Sequence, residues 1–194
     1  KLYSFLLWLF FLTPISLIAL IFYYASIGGF GDMPDLEVLE NPKTNLASEV
    51  ISSDGKTLGK YYFNDNRTPV TFDELPKHLV DALIATEDIR FYSHSGIDFK
   101  RTFGAALKLG KDGGGSTITQ QLAKLLFTGE GSRDILERLT QKFKEYIIAV
   151  RLERHYTKDE IITQYLNLYD FGNNGDGIRS AARIYFGKEP IDLD

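Results

Sequence analysis

No cysteine occurs among the 194 residues, which excludes a disulfide framework, a Cys-ligated zinc site and a cysteine nucleophile. That absence leaves the compartment open. A surplus of cations is missing too, since 22 Lys and Arg stand against 26 Asp and Glu for a formal net charge of −4. A general nucleic-acid binder must neutralise phosphates, so no nucleic-acid partner is expected. The chain does not lack apolar residues as a disordered segment would: charged residues make up 25% and aromatics 13%, ample for a packed core. The length suits one domain, or one domain plus a tail.

Charge is missing altogether between Leu2 and Gly31, and the first part of that run, LYSFLLWLFFLTPISLIALIFYY, is almost continuously apolar. A helix from Leu2 to Tyr24 would reach about 35 Å at about 1.5 Å per residue, enough to cross a hydrocarbon layer of about 30 Å. Residues 1–27 are therefore expected to form one transmembrane anchor, with Pro14 as a site of slight kinking and Tyr23 and Tyr24 in the interfacial aromatic belt. A cleaved signal peptide or a buried core helix are the alternatives. The run exceeds a usual signal-peptide core and ends without a small-x-small cleavage site. Lys1 alone is too little flanking charge to set the orientation.

Glycines 28, 29 and 31 with Pro34 and Pro42 mark residues 28–46 as a linker, and a folded domain is expected over 47–194. SEVISSDGKTLGKYYF reads as a small hairpin turning at Asp54 and Gly55. From Phe72 the pattern becomes helical, with Leu79, Val80, Leu83 and Ile84 spaced for one buried face. Further helices are expected from Ser116, from Asp134 to Arg154, from Thr157, where Thr157 and Glu160 form a capping box, and over IRSAARIYF. On the long helix Ile135, Leu139, Phe143, Ile147 and Val150 are the expected core face. The domain is thus mainly α with a small β element. Its last residues, KEPIDLD, read as a chain cut before the domain is finished.

Three places could carry chemistry. Glu87 and Asp88 end an apolar helix beside Arg90, Phe91 and His94, where aromatic walls could raise a carboxylate's basicity toward neutral pH. The plainer reading is a solvated helix end with a locally hydrogen-bonded histidine. GGGSTITQQLAK offers a flexible approach and helix amides, together with Ser116, Thr117, Gln120 and Gln121, and Lys124 lies two turns along. This suits an anion. The order differs from a Walker loop, which disfavours nucleotide hydrolysis, and a flexible loop before a capped polar helix is the alternative. On the long helix Arg138, Lys142, Glu145 and Ala149 share a stripe that could line a cleft or could simply be surface ion pairs.

Together these segments resemble a known family. EDIRFYSHSG is similar to its Glu-Asp-x-x-Phe-x-x-His-x-Gly signature, and GGSTITQQLAK to its Gly-x-Ser-Thr-Ile-x-Gln-Gln-x-x-Lys signature. QKFKEYIIAVRLE and YLNLYDFGNNGDGIRSAARIYFGK resemble its third and fourth. The family is the peptidoglycan glycosyltransferases of family 51, the polymerase domains of class A penicillin-binding proteins and monofunctional transglycosylases. The resemblance covers about Ala47 to Lys188. Gln141 stands where the family usually has Arg, leaving Arg138 or Arg133 to supply that cation. Leu125 replaces a usual Asn, and Asp170 and Asp176 replace common aromatics. The fifth family motif would lie beyond Asp194.

The resemblance implies a lysozyme-like helical fold and polymerisation of lipid II into β-1,4 glycan on the outer face of the bacterial cytoplasmic membrane. Undecaprenyl pyrophosphate would be released. Glu87 and Glu145 would be catalytic, with Glu87 as general base. Asp88, His94, Ser116, Thr117, Gln120, Gln121, Lys124, Arg138 and Lys142 would bind substrate. No cofactor is obligatory, and a divalent cation, Mg or Mn, is an optional participant whose ligands are unknown. Expected partners are lipid II, the lipid-linked glycan, the bilayer and other cell-wall synthesis proteins. Phe99, Phe103, Leu107 and Leu109 alternate with Lys100, Arg101, Lys108 and Lys111 in what would be an interfacial lip or an ordinary core helix. The domain would be the first part of a bifunctional penicillin-binding protein. A lysozyme-like glycan-cleaving enzyme and an inactive membrane-tethered scaffold are the competing classes, though hydrolysis gives no reason for a cationic stripe.

Overall fold

The computed structural model describes residues 1–29, 31, 34, 48–61, 67–107, 114–129 and 131–194. Residues 1–35 and 36–194 form two compact units. In the first, α1 (Leu2–Ser26) is one continuous helix of 25 residues. It ends in a glycine turn where the Gly29 N–H donates to the Tyr24 carbonyl at 2.9 Å and Gly28 takes φ +75°. The side chains at 14, 15, 18, 22, 25 and 26 lie outside the described set. Among the described residues no helix is long and apolar enough to cross a membrane, so the anchor remains a sequence expectation. The linker expected over 28–46 falls almost wholly outside the described residues, as do Lys108, Leu109 and Lys111.

The second unit opens with the expected hairpin. Strands β1 (Ser48–Ile51) and β2 (Thr57–Tyr61) pair antiparallel, Ser48 opposite Tyr61 and Val50 opposite Gly59, with an irregularity after Val50. Gly55 supplies the φ of +80° that the turn requires.

Helices make up most of the rest. A short 3-10 turn over Phe72–Glu74, boxed by Thr71 and Glu74, leads into α2 (Lys77–Glu87). Asp88, at φ −156°, breaks that helix and leaves Glu87 as its last residue. Next come α3 (Phe99–Leu107) and the short α4 (Ile118–Ala123), which widens into a π-helical turn over Lys124–Thr128. The long α5 (Ile135–His155) starts where the Asp134 carboxylate accepts the Leu136 and Glu137 N–H groups. The Thr157–Glu160 capping box opens α6 (Lys158–Leu168) as its spacing foretold. Gly187, at φ +65°, ends α7 (Gly177–Phe186).

The core is built around α4, which is buried at every position but Gln121 and packs on both α5 and α6. Ile118 and Leu122 of α4, Ile148 and Leu152 of α5, Ile161 and Ile162 of α6, and Phe91 are essentially inaccessible. The buried face of α5 differs from the apolar stripe expected. Ile135, Leu136 and Leu139 are exposed, whereas Glu145, Ile148, Ala149 and Leu152 face inward. Position rather than hydropathy decides this, because the second half of α5 is the part that α4 covers, and a polar cleft opens on the same side.

Candidate active site

Helices α2, α3, α5 and α6 meet α4 and its π turn at one cleft of about 620 Å³. Glu87 enters from the end of α2, Gln120 and Gln121 from α4, Lys124 from the π turn, Lys142 and Glu145 from α5, and Tyr165 from α6. Ser116 and Gly114 close one side, and Tyr169 and Arg101 complete the wall. The two glutamates, 58 positions apart in sequence, therefore open onto one hollow.

Glu145 is only 5% exposed, and burial of an isolated carboxylate is costly. Lys142, one turn earlier on α5, meets that cost with an ion pair of 2.5 Å, and the same ammonium donates to Ser116 Oγ at 2.8 Å. The glycine loop is thereby tied to α5. Burial, then the charge of Glu145, raises the Tyr146 phenol above its ordinary range. Lys124 is exposed at the cleft, and its ammonium has no hydrogen-bond partner among the described residues. Arg101 spends donors on the Gly114 carbonyl (3.1 Å) and on the Glu87 carbonyl, keeping a guanidinium beside the anionic end of the cleft.

Glu87 accepts a hydrogen bond on Oε2 from Gln121 Nε2 at 2.8 Å. The Gln121 carbonyl oxygen in turn accepts from the Tyr165 hydroxyl at 3.1 Å. Burial, then the charge of Glu87, raises the Tyr165 phenol far above its usual value, so it remains a donor.

Behind the cleft, a buried polar layer holds the segment after α2 in place. Asp88 is fully buried and accepts from the Ile118 N–H at 3.1 Å and from His94 Nε2 at 3.0 Å. Thr117 and Gln120 both donate to the Gly96 carbonyl, at 2.7 and 3.0 Å. Gly96 itself, at φ +89°, lies so close to α5 that a Cβ would fall 2.8 Å from the Ala149 carbonyl carbon. The backbone of α5 at Ala149 and Val150 thus receives the loop. Lys158 donates to the His94 carbonyl and to Glu153, sits 4.2 Å from the Phe91 ring centroid, and leaves Glu153 to accept from Thr119.

The expected site residues accordingly fall into three groups. Glu87, Glu145, Ser116, Gln120, Gln121, Lys124 and Lys142 line the cleft. Asp88, His94 and Thr117 stand in the layer behind it. Arg138 is exposed and is not among the cleft-lining residues. The helix amides expected to face an anion are turned inward, for Ile118 N–H is taken by Asp88 and Gln120 N–H by Thr117. Cationic side chains remain to receive negative charge. Sequence reasoning missed Arg101, Tyr165 and Tyr169 as cleft residues. Arg101 carried a signal, a cation close to the first motif, but the two tyrosines read as ordinary helix residues.

Asp88, His94 and Asp98 bring ligand-type atoms within 4.8 Å of one another. The donor set does not fit a resident divalent cation. Both oxygens of Asp88 face His94 Nε2, and those of Asp98 are taken by Arg90 and the Arg101 N–H. Burial pushes the Asp98 carboxyl up, but these donors outweigh it and hold the group below its ordinary value.

Comparison with known proteins agrees with this geometry. Residues 54–194 match the family model described as Transglycosylase. The chain is 42% identical over 153 residues to penicillin-binding protein 1F of Bacillus subtilis, covering 77% of this chain and 21% of that protein. To penicillin-binding protein 1A of Escherichia coli it is 40% identical over 161 residues, 80% of this chain and 18% of that protein. To penicillin-binding protein 1A of Pseudomonas aeruginosa it is 39% identical over 166 residues, 83% of this chain and 19% of that protein. The chain thus spans about a fifth of the length of these curated relatives. With both glutamates on one cationic cleft and the family model matched across the whole helical unit, the chain belongs to the transglycosylase family.

Proposed function

We propose that the chain is a peptidoglycan glycosyltransferase that polymerises lipid II into β-1,4 glycan strands and releases undecaprenyl pyrophosphate. The observation that carries this reading is the pairing of Glu87 and Glu145 on one cleft whose cations are Lys124, Lys142 and Arg101. A hydrolase needs a carboxylate and a water. A transferase acting on a lipid diphosphate needs, in addition, a positive wall for the leaving group.

In this reading Glu87 takes the proton of the acceptor's 4-hydroxyl as that oxygen attacks the donor's anomeric carbon. The C–O bond to the diphosphate breaks with inversion. General-base help of this kind is worth about 10² to 10⁴ in rate. Negative charge growing on the diphosphate is met by Lys124 and Arg101, with Lys142 shared between it and Glu145. Glu145 acts by holding Lys142 and Ser116 in register. No obligatory cofactor is proposed.

Both substrates carry lipid tails, so tethering would confine enzyme and substrate to two dimensions and raise effective concentration. We assign α1 as a single-pass anchor in the cytoplasmic membrane with the catalytic unit on its outer face. Phe99 and Phe103, 76% and 67% exposed on α3, support a lip that enters the interface. The relatives are named penicillin-binding proteins, which supports placing this chain as the first part of a bifunctional protein that works with other cell-wall synthesis proteins.

The test is incubation of purified protein with labelled lipid II followed by gel separation. A ladder of glycan products is expected. Shortening of pre-made glycan without a ladder would instead indicate a hydrolase, and retained substrate without product would indicate a scaffold.

A further inference from the structure

The cleft contains a chain of three side chains that the transfer mechanism does not need for charge or for contact with the diphosphate. Tyr165 of α6 is 3% exposed and donates to Gln121 of α4, and Gln121 donates to Glu87 of α2. Three separate elements thus converge on one carboxylate. We propose that Tyr165 is a positioning residue for Glu87, acting through Gln121 to fix which carboxylate oxygen receives the proton; this rests on Glu87 as the base.

The argument turns on the polarity of an amide. A carboxamide presents an acceptor at one end and donors at the other, and a phenol hydroxyl directed at its oxygen leaves the NH2 group to face the opposite side. If the amide were reversed, its carbonyl would face the Glu87 carboxylate, acceptor against acceptor. Tyr165 therefore selects the orientation that a charged Glu87 requires. Because Glu87 Oε2 is occupied by Gln121, the other oxygen, which has no hydrogen-bond partner among the described residues, is left to take the acceptor's proton. Loss of an N–H donor makes a carboxylate in general harder to ionise. The other ionisable side chains lining the cleft are Arg101 of α3, Lys124 of the π turn, Lys142 and Glu145 of α5, and Tyr169 after α6. Tyr169 packs on the Tyr165 ring with centroids 5.4 Å apart, a contact that replacement of Tyr165 by Phe keeps.

Tyr165→Phe keeps the ring and removes the donor, and Gln121→Met removes the amide while keeping its length. In the full chain with labelled lipid II, Tyr165→Phe is expected to lower kcat about three- to tenfold, the range for one lost hydrogen bond. KM should hold, and the acidic limb of the pH–rate profile should move to higher pH. Gln121→Met should move the limb the same way, and adding Tyr165→Phe to it should change neither kcat nor the limb further. A Tyr165→Phe profile that matches the parent would overturn the proposal, as would additive effects in the double variant, which would mark Tyr165 as packing alone. Glu87→Gln, run alongside, separates two failures. Activity retained by Glu87→Gln removes the base and the relay together. Loss of activity there, beside an unchanged Tyr165→Phe, removes the relay only.

Discussion

Lys142→Met is the most informative perturbation of the cleft, because it keeps the aliphatic stem and deletes only the charge that neutralises Glu145. Among the described residues, Glu145 is then left with a single long contact from Thr128 at 3.5 Å. Removing one partner of a fully buried ion pair costs about 3–5 kcal/mol. Here the Lys142 side chain is 37% exposed and that of Glu145 7%, so solvent can reach one side of the pair and about 1–3 kcal/mol is expected. For a domain of this size a loss of 2 kcal/mol lowers Tm by about 4–8 °C. Glu145→Gln removes the charge that Lys142 compensates, and the double variant should be more stable than Lys142→Met alone. Thermal unfolding of the parent, both single variants and the double variant gives the coupling energy directly. Lipid II polymerisation measured on the same four proteins should fall by about 10² to 10³ for Lys142→Met, the scale of a lost charge-stabilising donor. If the double variant were no more stable than the sum of the single losses predicts, the pair would not be the device that lets Glu145 be buried.

Two further outcomes follow from other parts of the molecule. Phe99→Asp with Phe103→Asp, in protein lacking residues 1–35, should weaken flotation with liposomes by about two to four orders of magnitude, since each exposed Phe is worth about 1.5–3 kcal/mol when buried; unchanged flotation would remove the lip. Acid should destabilise the helical unit, because Glu74, held low by the Thr71 N–H and by Arg179, Asp98, held low against its burial, and Glu160, held low by the Thr157 N–H, all fall below their ordinary values of 4.5, 3.8 and 4.5. A depressed carboxyl adds stability above its unfolded value and loses it as pH falls through its folded one. Urea midpoints should therefore drop between about pH 4.5 and pH 3, and a flat profile there would contradict these assignments.

Much of the fold was legible where a local rule acts alone. Thr157 and Glu160 announced the start of α6, the Asp54-Gly55 pair announced the hairpin turn, and Leu79 to Ile84 announced α2. The face of α5 was not legible, because an apolar stripe predicts the core only when the whole helix is covered. The first turns of α5 carry Ile135, Leu136 and Leu139 in the open, while Glu145 is buried where α4 and the cleft need it. The glycine loop misled for a related reason. Amides at a short helix's start suit an anion, but a buried aspartate from the preceding segment had already taken one of them. That Glu87 and Glu145 share a cleft was legible only as a constellation. Arg101 and Tyr165 emerge from tertiary structure, since no spacing along the chain brings α3 or α6 to Glu87.

Glu87→Gln on the full chain tests the account most directly. The amide keeps the side chain's shape and can still meet Gln121, so thermal unfolding should stay near that of the parent while the glycan ladder from labelled lipid II disappears. A folded Glu87→Gln variant that still builds polymer at close to the parent rate would contradict Glu87 as the base, and with it the reading of the cleft.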